Sequence, residues 1–167
     1  MKEPKLTIRN IRVRAIAAPM KRPLTTSTGA LTQTALVLLD LHTGAGITGR
    51  SYLFPIGRHN VAPIVKLVEA MAEMLKGDAL APFEIEKKLR ARYALLGVHN
   101  IVLFALSGID MAAWDALGHA HGQPLVRLLG GLPGPVPAYN RGSFGKKKSF
   151  SPHAGLESVS FTGLTDT

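Results

Sequence analysis

The apolar residues of this chain change their period once, at Pro55, and that single switch excludes most folds. Before it, Leu6, Ile8, Ile11, Val13 and Ile16 alternate imperfectly with basic residues, as a half-buried strand does. The run from Thr34 to His42 is a strongly apolar strand, Thr43 to Gly46 is a glycine-bearing turn, and Ile47 to Phe54 returns. Between the first two strands, Pro19 and Pro23 frame a threonine-rich stretch, Met20 to Gly29, that reads as a loop. After Pro55 the spacing becomes helical. Val61, Ile64, Val65, Val68, Met71, Ala72 and Leu75 share one face, and Gly77 supplies the stop. Pro82 suits the first turn of a second helix, with Glu84 and Glu86 near its positive end and a finish near Gly97. A third helix starts near His99 or Asn100, with Asn100 a candidate N-cap, and ends at Gly122. Pro124 opens a short fourth helix closed by Gly130 and Gly131. Strands followed by helices predict an α+β fold: a three-stranded antiparallel meander, then a bundle of three to four helices.

Composition narrows the function. With 46% hydrophobic and 19% charged residues the chain can build a packed core. It has no cysteine, which excludes disulfide scaffolds, thiol nucleophiles and cysteine-ligated zinc, and fits a reducing cytoplasm. The N-terminal segment has no apolar run of the kind a leader needs, and stretches such as Ala35 to Leu39 and Ile101 to Leu106 are too short to span a bilayer. A cytoplasmic protein with no membrane partner is therefore expected. The net charge of +9 is concentrated at the ends. Lys2, Lys5, Arg9, Arg12, Arg14, Lys21 and Arg22 face only Glu3 in the first thirty residues, whereas 31–140 nearly balance. No zinc-finger spacing, aromatic RNA-binding signature or basic zipper accompanies that charge, so no specific nucleic-acid partner is expected.

The residues with chemical potential mostly read as structure. Asp110 and Asp115, five apart, project about 140° apart on a helix and cannot share one site. The ordinary reading has them bonding nearby backbone or an arginine such as Arg127. His119 and His121 diverge in the same way and read as exposed helix-end residues, not a metal pair. Trp114, the sole tryptophan, suits an interface better than a ligand stack. Thr25 to Thr28 could receive an anion through hydroxyls and backbone N–H groups, or could be a solvated loop. Gly44 to Gly46 and Gly130 to Gly131 lack the spacing of a phosphate-binding loop.

The run ALSGIDMAAWDALG, Ala105 to Gly118, followed by GQPLVRLLG, Gly122 to Gly130, resembles the N-terminal signature of the mandelate racemase/muconate lactonizing enzyme family of the enolase superfamily. Ser107, Gly108, Asp110, Asp115, Pro124 and Gly130 carry that likeness, as structural positions. The strand Val37 to Leu41, the turn at Gly46 to Gly49 and Ser51 to Phe54 resemble its mandelate racemase branch; His119 departs from the usual Lys, Arg or Gln. The likeness covers about residues 6–140. It implies a capping domain that closes over the mouth of a TIM barrel. In that barrel, a magnesium ion held by carboxylates stabilises an enolate while Lys or His bases remove the α-proton of a carboxylate substrate.

The same likeness divides the chain into a capping domain at 1–134, a remnant of the first barrel strand at 135–140 and an aperiodic, disordered tail at 141–167. It makes Pro19 to Gly29 and Tyr52 to Arg58 the lid loops, with Leu24, Thr25, Thr26 and Ile56 as the candidates to face substrate. The barrel's Lys-x-Lys pair, carboxylate triad and His–Asp dyad have no counterpart after Tyr139; Lys146 to Lys148 lie in the tail. The expectation is a truncated protein, through a frameshift or shortened reading frame, with no catalytic residue, no metal site and no cofactor of its own. Its partner would be the missing barrel, and a small carboxylate would bind only with that barrel present. The alternative is a non-catalytic interaction module that docks on a barrel partner or forms a homo-oligomer, because the third helix would expose apolar surface.

Overall fold

A computed structural model of the chain describes residues 6–26, 29–55 and 57–135. Three strands come first, β1 (Ile8–Thr26), β2 (Gly29–Thr43) and β3 (Thr48–Leu53), in a three-stranded antiparallel sheet of order β1-β2-β3. A single 3-10 turn, Arg58–Asn60, then leads into four helices: α1 (Val61–Leu75), α2 (Pro82–Arg92), α3 (Asn100–His121) and α4 (Leu125–Leu128). The α+β reading and the meander hold. The helix starting at Pro82 stops five residues before Gly97, and a turn spans the interval.

Met20 to Thr26 belong to β1 and are not a loop, which corrects that part of the reading from Pro19 and Pro23. Strand pairing resumes after Pro23: Leu24 opposes Leu31, Thr25 opposes Ala30 and Thr26 opposes Gly29. The prolines are accommodated because β1 is an edge strand, whose outward N–H groups have no ladder partner to lose. They leave a mark in the register, which shifts between Pro19 and Leu24 so that four residues of β1 oppose one of β2.

Alternation places Val37, Leu39 and Leu41 on the sheet face that α1 and α3 cover. They meet Ile64, Val68, Met71 and Leu75 of α1, and Val102, Ala105, Ile109, Ala112, Ala113 and Ala116 of α3, in one core. The small residues of α3 let its axis lie close to the sheet. A Cβ on Gly49 would come within 2.0 Å of the Ala112 carbonyl oxygen, and one on Gly108 within 2.9 Å of Leu53 Cδ1. The connection after α1 closes the start of β1: Ile8 donates its N–H to the Asp78 carbonyl at 2.8 Å, and Gly77 and Leu80 donate back to Ile8 and Leu6.

Helix α3 begins differently from the expectation. Its cap position is His99, with no side-chain capping bond, and Asn100 is its first residue, at φ 49°. Asparagine tolerates that left-handed backbone better than most residues, and this accounts for its presence there. By length and composition α3 could cross a bilayer, although no short run within it suggested so. Eight of its residues are buried, and it serves here as the core helix.

Candidate functional site

The features that could act on another molecule gather at one end of the sheet. Strand β3 stops at Leu53, opposite Val37, whereas β2 extends from there back to Gly29, paired only with β1. At about 3.4 Å per residue the resulting two-stranded ribbon projects roughly 27 Å beyond the three-stranded part. Ala30 to Gln33 are exposed along it. Leu24, Thr25 and Thr26 lie in its last three backbone pairs, so three of the four lid candidates occupy a single hairpin end. Ile56 lies outside the described residues.

The β3–α1 connection leaves the sheet at the same end. Pro55 is buried, and with Asn60, Ile64, Asn100, Ile101 and Phe104 it lines a mostly apolar concavity of about 300 Å³. Gly57, at φ 94°, makes the turn, and a Cβ there would fall 2.6 Å from the His59 ring. The chemistry this end can offer is recognition: hydroxyls and apolar contacts on a projecting ribbon, beside an apolar hollow.

The signature residues fall elsewhere, along α3 and α4. The Ser107 hydroxyl donates to the Phe104 carbonyl at 2.8 Å. The Gly108 carbonyl accepts from the Ser51 hydroxyl at 2.6 Å, and Asp115 accepts the backbone N–H of Arg50 at 2.7 Å. These two bonds pin β3 onto α3. Arg127 is not the partner of Asp115; the second contact of Asp115 is His119 Nε2 at 3.5 Å. The departure at His119 therefore keeps a polar side chain beside Asp115. Asp110 is half-buried on α3 near α2, its pKa raised by desolvation and by the nearby Glu86 carboxylate, against a hydrogen bond from Trp114 that lowers it. Trp114 meets Phe83 of α2 edge to face, with ring centroids 5.6 Å apart. Pro124 caps α4, and Gly130, at φ 79°, ends it.

Neither the two bonds to β3 nor the tight approach at Gly49 was read from the sequence. An isolated glycine inside a strand was the available signal, since it marks a place where another backbone comes close. Among the described residues no three His, Asp or Glu side chains stand together as metal ligands. The expected first barrel strand, Val136 to Tyr139, and the tail lie outside the described residues.

Comparison with known proteins agrees with this architecture. The profile of the mandelate racemase/muconate lactonizing enzyme N-terminal domain matches residues 8–130. An enolase from Bradyrhizobium, crystallised with magnesium and mandelic acid, superposes with a TM-score of 0.78 at 45% identity over 81% of this chain and 38% of its own. The 3,6-anhydro-alpha-L-galactonate cycloisomerase of Streptomyces coelicolor is 30% identical over 81% of this chain and 38% of its length. The D-galactarolactone cycloisomerase of Agrobacterium fabrum is 30% identical over 83% and 36%. The chain thus spans little more than a third of the relatives it matches. With the sheet, the pinned third helix and the profile match over most of its length in agreement, the chain belongs to the mandelate racemase/muconate lactonizing enzyme family, through that family's N-terminal domain.

Proposed function

We propose that this chain is a substrate-gating cap that acts when joined to, or docked on, a catalytic barrel. The projecting β1–β2 ribbon carries this reading. A two-stranded ribbon with no covering layer is marginal in water, so its persistence as a long element suits a part that rests on another surface. The outward side of α3 supports the same view. Leu103 and Met111 are exposed there beside half-buried Phe104 and Trp114, and Leu125, Val126, Leu129 and Leu132 continue the apolar surface. A helix apolar on both sides belongs inside a larger assembly.

In that assembly the reaction would be proton abstraction next to a carboxylate, leading to racemisation, cycloisomerisation or dehydration. Magnesium, present with the Bradyrhizobium enolase, would belong to the barrel, since the described acids of this chain are scattered. The cap's part is to exclude water and select the substrate through Leu24, Thr25, Thr26 and Ile56, with the barrel as its partner.

A chimera tests this directly. Residues 6–130 replace the cap of the Bradyrhizobium enolase, and mandelate binding is measured by calorimetry with magnesium present. Binding should survive the exchange and weaken roughly tenfold when Leu24, Thr25 and Thr26 become alanine. A folded chimera whose mandelate affinity ignores those three positions would refute the gating role.

The exposed apolar surface also favours a second reading, a non-catalytic module that self-associates. Sedimentation velocity separates the two: a discrete dimer abolished by Met111→Lys supports the module, whereas a monomer opposes it.

A further inference from the structure

The outer face of the sheet, opposite the helices, has no covering element among the described residues, and its composition is unusual for a solvated surface. The register stacks three rows across it: Asn10, His42 and Thr48; then Arg12, Asp40 and Arg50; then Arg14, Leu38 and Tyr52. Arg12, Arg14, Arg50 and Tyr52 are exposed, and Leu38 is half-buried. Asp40 is the one carboxylate in these rows. Arg14 pairs with it, and Arg50 Nε lies 3.6 Å from it. Arg12, its direct cross-strand neighbour, forms no ion pair with a described residue. The face therefore carries two positive charges in excess over an area of about 10 by 14 Å.

The patch continues into a concavity. Arg9, Asn10, His42 and Thr48 line a hollow of about 340 Å³ at the turn end of the sheet. His42 Nδ1 and Thr48 Oγ1 are 2.9 Å apart and hold that rim in place. Guanidinium, amide, imidazole and hydroxyl groups around one hollow suit a carboxylate, which accepts hydrogen bonds and donates none.

We propose that this outer sheet face docks an acidic protein segment, its carboxylates placed on Arg12, Arg50 and the Arg9 hollow, and its apolar side chains on Tyr52 and Leu38. Charge complementarity selects the occupant. A second copy would oppose the same excess of arginines, which weighs against a face-to-face homodimer. The arginines are interleaved with Leu38 and Tyr52 and include an aspartate, a mixture suited to a protein interface and adverse to a phosphate backbone. The arrangement is independent of the gating ribbon and of the apolar side of α3.

The test uses the full chain and a fluorescein-labelled peptide of about a dozen residues in which Glu alternates with Leu and Tyr, followed by fluorescence anisotropy at near-physiological salt. The double variant Arg12→Gln/Arg50→Gln should bind roughly tenfold or more weakly. The charge-matched control Lys76→Gln/Lys87→Gln should bind as the parent does. The Arg50 side chain can be changed without loss of its backbone bond to Asp115, and circular dichroism with thermal melting verifies both folds. Equal loss in the two variants would show attraction to net charge alone and overturn the proposal. So would absence of peptide binding, or tighter binding of an oligothymidylate that depends on the same arginines, which would make the face a nucleic-acid surface.

Discussion

Gly49 and Gly77 show how differently one substitution acts at two glycines. A Cβ at Gly49 would overlap the Ala112 carbonyl of α3, backbone that cannot rotate away. Gly49→Ala should destabilise the domain by about 3 kcal/mol, because α3 must lift from the sheet. Gly77 has open space around it but sits at φ 86°, so Gly77→Ala should cost about 1 kcal/mol from backbone strain alone. Chemical denaturation of the two variants measures both values, and comparable costs would contradict the close approach. Asp115→Ala leaves the Arg50 N–H without its acceptor and should cost about 1 kcal/mol by the same measurement.

Asp110 adds a pH dependence whose sign is set by its surroundings. Desolvation and Glu86 raise its folded pKa above the ordinary 3.8, with the Trp114 hydrogen bond in opposition. The folded state therefore holds its proton to higher pH than the unfolded chain does. Stability due to this group is full below about 3.8 and declines as the pH rises through the folded value. Asp110→Asn should abolish that decline, so the variant gains relative to the parent as pH rises from 3.8 and then keeps a constant lead. Melting curves taken across that range would show a flat difference if the carboxyl were as solvated as in a peptide.

At the scale of elements, the sheet divides into two regimes. From Val37 to His42, β2 is central, paired on both sides and packed against α1 and α3. From Ala30 to Leu36 it has β1 alone and buries no side chain fully. Local opening should therefore be much easier in the ribbon. Amide hydrogen exchange should be faster at 30–36 than at 37–42 by about a hundredfold or more, since a few kcal/mol of packing separates them. Equal protection would mean that the ribbon is held by something beyond its own pairing.

For the whole molecule, three surfaces are left without a partner inside the described residues: the ribbon end, the outward side of α3 with α4, and the arginine face of the sheet. The first two are proposed to meet a barrel and its substrate, and the third an acidic segment. The family is that of the mandelate racemase/muconate lactonizing enzyme N-terminal domain, and the relatives extend well past this chain.

Much of this was legible in the order of residues. The switch from period two to period 3.6 at Pro55 is a local property, and it placed the three strands and four helices because side-chain alternation needs no knowledge of distant partners. Glycines at Gly77, Gly122 and Gly130 marked helix ends for the same local reason. The ribbon was misread because proline's effect depends on whether a strand is at an edge, and edge position is a fact about neighbours far along the chain. The partner of Asp115 was invisible for a like reason: Arg50 lies 65 residues away and offers its backbone, which has no side-chain signature. The grouping of Arg12, Arg14, Arg50 and Tyr52 on one face required the register of all three strands. Periodicity determined the elements; only tertiary packing decided which surfaces they leave open, because exposure is set by what lies across the fold.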